Sequence, residues 1–165
     1  MEYNIRKAKK DDVVECRKLA DFANELMLSR NNPQWSCGYP EIEILYNDVK
    51  LQQLYVVHDK DELVGMIAIQ EIKDDIYEKY NFWSEGEYIS VHRIVSKRSN
   101  LGKYLIQMAI DMAKEKGVNV RIDTHVKNIH MQKLIESLGF VLVGETEQNY
   151  IDKTLALTYE LVFTT

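Results

Sequence analysis

The sequence predicts an α/β (α+β) fold: one mixed sheet with helices on both faces. Three observations carry this. Segments with helical and strand periodicity follow one another in the order β-α-α-β-β-β-α-β-α-β-β. A strong strand from Tyr88 to Ser96 runs into a helix and then into a strand ending at Thr124, the pattern of a right-handed parallel crossover. No repeat, linker or low-complexity stretch interrupts the 165 residues, so a single domain over residues 1–165 is expected.

Taken in order, Tyr3 to Ala8 alternates and reads as a short strand. Asp11 and Asp12 can cap a helix, and Asp12 with Glu15 has capping-box spacing. Val13, Cys16, Leu19, Ala20, Ala23, Leu26 and Met27 then recur at helical spacing through Leu28. Asn31, Asn32, Pro33, Gly38 and Pro40 make Ser29 to Pro40 a loop, one that carries Trp35 and Tyr39. A second helix covers Glu41 to Leu51.

Leu54 to His58 and Leu63 to Ile72, joined by Asp59–Glu62, read as an antiparallel hairpin. Lys73 to Glu85 is a loop with one helical turn, rich in aromatics (Tyr77, Tyr80, Phe82 and Trp83). From Leu101 to Lys116, Leu101, Leu105, Met108, Ala109 and Met112 share one helix face, and Gly117 stands where a left-handed cap is expected. Val118 to Thr124 is a strand, and Asn128 to Leu138 is a helix stopped by Gly139. Phe140 to Val143 and Leu155 to Phe163 are the last strands, with a polar connection from Glu145 to Lys153.

A chain of this length buries roughly 70% of its unfolded surface, enough for a core without staples. The two cysteines, Cys16 on the first helix's apolar stripe and Cys37 in a loop, make no disulfide framework. A formal charge of −5 argues against nucleic acid or an anionic membrane as main partner. No window approaches the ~20 apolar residues of a membrane span, and the first ten residues contain no apolar stretch of a signal peptide. A cytoplasmic protein is expected. His125 and His130 with a distant cysteine lack zinc-ligand spacing, so no metal is expected. A homodimer paired through the last two strands is compatible with the pattern.

The stretch Ser96, Lys97, Arg98, Ser99, Asn100, Leu101, Gly102, Lys103, Tyr104 leaves a strand and opens a helix. Free N–H groups and the dipole at a helix start favour an anion. Lys97, Arg98 and Lys103 add positive charge, Gly102 leaves room for close approach, and Asn100 tolerates a left-handed backbone. From charge and spacing alone, a phosphate cradle and a basic cap on a surface helix are both open.

With its flanks, HRIVSKRSNLGKYLIQMAIDMAKEKG resembles the coenzyme A signature of the GNAT acetyltransferase superfamily: a strand, then Q/R-x-x-G-x-G/A, then a long helix. Lys97 matches the Q/R, Asn100 the first glycine and Gly102 the last. A second segment, VRIDTHVKNIHMQKLIESLGF, is similar to the family's next strand, its helix-start asparagine (Asn128) and its closing pair, Gly139 and Phe140. Lys97 and Asn100 depart from the commonest residues, and the strand-to-helix turn is shorter than usual.

The resemblance implies a GNAT-like fold and acetyl-CoA as cosubstrate. It implies a pantetheine arm paired with the backbone at Ile94 and Val95, as an added strand. A backbone N–H near Val95 would polarise the thioester carbonyl. Phosphates would meet Lys97 to Tyr104, Asn128 would contact the pantetheine arm, and Met131 the acyl end. The implied reaction is direct attack by an amine, carried by a small molecule or peptide, with no enzyme nucleophile. Such attack needs a general base or a water path. His92 is the first candidate, with an ordinary pKa of about 6.5; Glu87 and His125 are weaker ones. The family's thiolate-protonating tyrosine falls here on Ile135. Trp35, Tyr39 and Trp83 are candidates to line the amine pocket. Two alternatives stay open: a non-catalytic acyl-CoA sensor, and an interaction module without ligand.

Overall fold

The computed structural model describes residues 3–148 and 150–164. Its elements are β1 (Asn4–Lys7), α1 (Val13–Ser29), α2 (Ile42–Lys50), β2 (Leu54–Asp59), β3 (Glu62–Gln70), β4 (Tyr88–Ser96), α3 (Leu101–Lys116), β5 (Asn119–His125), α4 (Ile129–Ser137), β6 (Val141–Glu147) and β7 (Leu155–Leu161). Short 3-10 turns occupy Lys10–Asp12 and Tyr77–Lys79. The predicted order is the observed one.

The strands form one seven-stranded sheet, β1-β2-β3-β4-β5-β7-β6. Every neighbouring pair is antiparallel except β4 and β5, which run parallel on either side of α3. Strand alternation divides the apolar residues between two cores. Met66 and Ala68 of β3, with Leu54 and Val56 of β2, pack on Val13, Cys16, Leu19, Ala20 and Ala23 of α1 and Leu45 of α2. Val64, Ile67 and Ile69, with Ile89 and Val91 of β4, pack on Leu101, Leu105, Ile106 and Ala109 of α3 and Ile135 of α4. Each of the buried Val, Leu, Ile and Met side chains contributes about 1.5–3 kcal/mol, the alanines less. The helices therefore lie on both faces of the sheet.

Close approach explains Gly65. A Cβ there would lie 2.9 Å from Leu101 Cδ2 and 3.1 Å from the Val95 carbonyl, so the start of α3 can sit against the sheet only over a glycine. At the other end of α3, Gly117 closes the helix in the left-handed conformation, with φ 70°.

Several local expectations are corrected. Asp12 does not cap α1 through its side chain. Its carboxylate takes two hydrogen bonds from the Arg6 guanidinium, at 2.7 and 2.9 Å, and one from the Lys9 N–H at 2.6 Å, because β1 brings a cation within reach. Leu26 is 37% exposed, whereas Met27 packs on the core. β6 extends through Glu147, well beyond Val143, since backbone pairing with β7 holds polar residues as readily as apolar ones. β7 lies between β5 and β6, so of the last two strands only β6 stands at a sheet edge, where it could pair with a second copy. Among the described residues no helix is long and apolar enough to cross a membrane.

Candidate active site

β4 and β5 separate after three paired positions. Tyr88, Ile89 and Ser90 face Asn119, Val120 and Arg121, and the ladder then stops although both strands continue. β4 also carries a bulge. Met66 faces Val95 and Ala68 faces His92, so Ile67 stands opposite two residues, Arg93 and Ile94. Arg93 has φ 52°, a left-handed backbone that costs a non-glycine residue about 1–3 kcal/mol.

The Arg93 side chain anchors this bend. Its guanidinium meets the Asp48 carboxylate of α2 at 2.5 and 2.7 Å and donates to the Tyr39 hydroxyl at 2.8 Å. Asp48 accepts a further bond from Gln53 Nε2 at 2.7 Å. Burial alone would lower the Arg93 pKa, but Tyr39 and Asp48 outweigh it and hold it raised. On the other side of the loop, Arg17 donates to the carbonyls of Gly38, at 2.9 Å, and Pro40, at 2.5 Å, tying residues 30–41 to α1.

The basic stretch lies where β4 ends. Lys97 N–H bonds the Val64 carbonyl at 2.8 Å, and Ser96 Oγ donates to the Arg98 carbonyl at 2.8 Å. Asn100 sits in the left-handed region, φ 65°, and its side chain caps nothing. Leu101 N–H reaches the Arg98 carbonyl at 3.3 Å and Tyr104 N–H the Asn100 carbonyl at 3.1 Å. Between them, the N–H groups of Gly102 and Lys103 have no acceptor among the described residues. A Cβ on Gly102 would meet nothing nearer than Leu134 at 3.7 Å.

The cations around this corner are not equivalent. Arg98 is paired with Asp59 at 3.0 Å and Glu62 at 3.5 Å, so much of its charge is spent on the β2–β3 hairpin. Lys97 Nζ lies 4.9 Å from the centre of the Phe22 ring. Ser99, Lys103 and Tyr104 are exposed. These residues fit an anionic group: unclaimed amides, a helix dipole and an exposed lysine converge where no side chain intrudes.

A cavity of about 340 Å³ opens where β4 and β5 part. Its walls include Trp35, Tyr39, Asp74, Val91, His92, Arg93, Ile94, Asp123, Asn128, Met131 and Tyr150. His92 Nε2 lies 3.0 Å from Asp74 Oδ2 and 3.1 Å from Ser90 Oγ. Asp74 is itself fixed by the N–H groups of Ile76, at 2.9 Å, and Tyr77, at 3.2 Å. Burial pushes the Asp74 carboxyl up, but the His92 and backbone hydrogen bonds prevail and hold its pKa below the ordinary value. A carboxylate thus orients the imidazole beside the cavity.

Asp123 stands two residues beyond Arg121 on β5, as His92 stands two beyond Ser90 on β4, so the pair flank the opening. Asp123 Oδ2 accepts from the Tyr77 hydroxyl and, at 3.4 Å, from Gln148 Nε2. Burial raises its pKa.

Of the sequence candidates, Trp35 and Tyr39 meet at the cavity with ring centres 5.8 Å apart, Trp35 only 4% exposed. Trp83 lies outside it, because its ring packs 4.2 Å from the Arg121 guanidinium and its Nε1 donates to the Tyr77 carbonyl at 2.9 Å. Ile94 lines the cavity, and Val95 is buried against the α1–α2 layer. Asn128 caps α4, its Oδ1 accepting from Met131 N–H at 3.2 Å. Its Nδ2 donates to Gln34 Oε1 at 2.9 Å, a partner the sequence did not disclose. Glu87 is exposed and absent from the walls. His125 is fully buried, bonded to Asp152 at 2.9 Å, to Thr154 at 2.9 Å and to Lys127 N–H at 3.0 Å. Ile135 is core. Sequence reasoning missed Gln34, Asp74 and Tyr150, all on loops, and Asp123 of β5; an ionisable residue inside an apolar strand was the available signal.

Comparison with known proteins agrees with this geometry. No curated protein sequence matches the chain. Solved structures do. A GNAT-family acetyltransferase from Streptococcus agalactiae superposes with a TM-score of 0.80 at 20% identity, over 99% of this chain and 96% of the other. A Staphylococcus aureus protein with an acetyltransferase designation gives 0.73 at 24% identity, over 97% and 99%. The Salmonella typhimurium protein yncA, solved with its cofactor acetyl-CoA, gives 0.70 at 16% identity, over 100% and 96%. The family described as Acetyltransferase (GNAT) family matches residues 19–140, and the chain belongs to that family.

Proposed function

We propose that the chain is an N-acetyltransferase that moves an acetyl group from acetyl-CoA to a primary amine by direct attack. The observation that carries this is the parting of β4 from β5 at the Arg93 bulge, next to the unclaimed amides that open α3. Family membership and the acetyl-CoA held by the Salmonella relative support it. When bound, the cosubstrate supplies an acyl group activated as a thioester.

The chain's own groups then have distinct tasks. Gly102 and Lys103 N–H groups hold phosphate, with Lys103 nearby and Lys97 and Arg98 adding weaker charge. Asn100 turns the chain into α3 in the conformation the family's glycine would take. The backbone of Ile94 and Val95 lies open on the side β5 has left, where an extended arm can pair. His92, oriented by Asp74, removes the proton of the attacking amine. Trp35 and Tyr39 shape the acceptor wall.

Thiol release from acetyl-CoA, measured against a panel of primary amines, tests this. Turnover with at least one amine, lowered about 100-fold or more by His92→Gln, is expected. Tight coenzyme A binding with no turnover selects the second reading, an acyl-CoA sensor, which the burial of Ile135 in the core favours.

A further inference from the structure

Strand alternation sends Tyr88, Ser90 and His92 to one face of β4. The turn at residues 74–79 touches this row at both ends. At one end the Tyr88 hydroxyl accepts from the Asp74 N–H at 2.8 Å and donates to Glu78 Oε2 at 3.0 Å, so a single hydroxyl ties the turn to the strand. At the other end the Asp74 carboxylate meets His92 Nε2 at 3.0 Å. Tyr88 is itself held. It is 6% exposed, the Arg121 guanidinium of β5 lies 3.7 Å from its ring centre, and Arg121 Nη1 lies 3.8 Å from Glu78 Oε2.

The two imidazole nitrogens of His92 differ in their surroundings. An ionised carboxylate only accepts hydrogen bonds, so the contact with Asp74 requires the hydrogen on Nε2. Ser90 Oγ, 3.1 Å from the same nitrogen, does not discriminate, because a hydroxyl can accept from Nε2–H or donate to a bare Nε2. Asp74 alone therefore selects the tautomer, and it does so only while its turn stays seated. Nδ1 has no partner among the described residues.

We propose that Tyr88 is a positioning residue for the base: by seating Asp74 it holds His92 in the Nε2–H form and leaves Nδ1 to receive the amine proton. The kinetic part of the inference rests on the acetyl-transfer reading. The step balances. The amine nitrogen bonds the carbonyl carbon, its N–H bond breaks, and Nδ1 takes that proton while Nε2 keeps its own. The C–S bond breaks with its electron pair on sulfur, which solvent protonates. The imidazolium stays beside the Asp74 carboxylate until solvent takes the Nδ1 proton.

Nitrogen NMR of 15N-histidine-labelled protein reads the tautomer without turnover, at about pH 8, above the ordinary imidazole pKa of about 6.5. Wild type is expected to show the Nε2–H pattern for His92, and Tyr88→Phe and Asp74→Asn a mixture of both tautomers. In steady-state acetylation, Tyr88→Phe is expected to lower kcat about 10-fold, with the amine KM and coenzyme A affinity within about 2-fold of wild type. Added to Asp74→Asn, it is expected to cost no more than about 2-fold further, since both act on one imidazole. Should Tyr88→Phe melt too low to assay, Glu78→Ala loosens the same hydroxyl from a side chain 41% exposed, and the same mixture is expected. An Nδ1–H pattern in wild type, an unaltered tautomer in the variants, or losses that multiply overturns the proposal. Wild-type protein that binds coenzyme A but acetylates no amine overturns the acetyl-transfer reading, and the tautomer pattern then decides the role of Tyr88 by itself.

Discussion

Asp48→Ala is the most informative single perturbation of the scaffold. Asp48 is 1% exposed and the Arg93 side chain 9%, and the pair is joined by two short hydrogen bonds. Removing the carboxylate strands a guanidinium in a low-dielectric layer and deprives Gln53 Nε2 of its acceptor. Breaking a buried pair in this way costs about 3–5 kcal/mol. At about 2–4 °C per kcal/mol for a chain of this size, the melting temperature is expected to fall by about 6–20 °C. Urea unfolding gives the free energy directly, with an unchanged slope if only stability moves. The apolar pair Asp48→Leu with Arg93→Met is expected to recover most of the loss, since it removes both charges. A loss below about 1 kcal/mol for Asp48→Ala, the range of exposed pairs, would refute the argument that this ion pair holds the β4 bend.

Two further outcomes follow from the site. Gly102→Glu is expected to abolish coenzyme A binding by setting a carboxylate among the free amides, whereas Gly102→Ala is expected to fold normally, its Cβ meeting Leu134 at an ordinary 3.7 Å; calorimetry and thermal melting check both. Asp152 is held down to about 2, against an ordinary 3.8: burial opposes this, but hydrogen bonds from His125 and Thr154 prevail. A depressed carboxylate stabilises the fold above its unfolded pKa and loses that contribution as pH falls through the folded one, so Asp152→Asn is expected to flatten acid unfolding between 3.8 and about 2 by circular dichroism. Parallel wild-type and variant curves would remove His125–Asp152 as an acid-sensitive contact.

The fold was legible because long periodic segments announce themselves. Leu101 to Lys116 and Tyr88 to Ser96 match the observed α3 and β4 end to end. The turn into α3 was legible too, since the left-handed Asn100 and the uncrowded Gly102 serve a local geometry that depends on few distant groups. The cavity walls were not. Trp35 and Trp83 look alike as loop aromatics, and only tertiary packing sends one to the cavity and the other onto Arg121. Asp74, Gln34 and Tyr150 sit in segments with no periodicity, and each acquires meaning from a partner far along the chain, such as Gln34 from Asn128. Arg93 was hidden for another reason: its φ of 52° and bulge arise from the register against β3, which a strand pattern does not encode.

The most direct measurement is an amide titration. Coenzyme A added to uniformly 15N-labelled protein is expected to shift the amides of Ser99 to Lys103 most, together with those of Ile94 and Val95. Shifts concentrated elsewhere on the surface, with residues 94–103 unmoved at saturation, would contradict the assignment of this corner and the opened strand as the acyl-donor site.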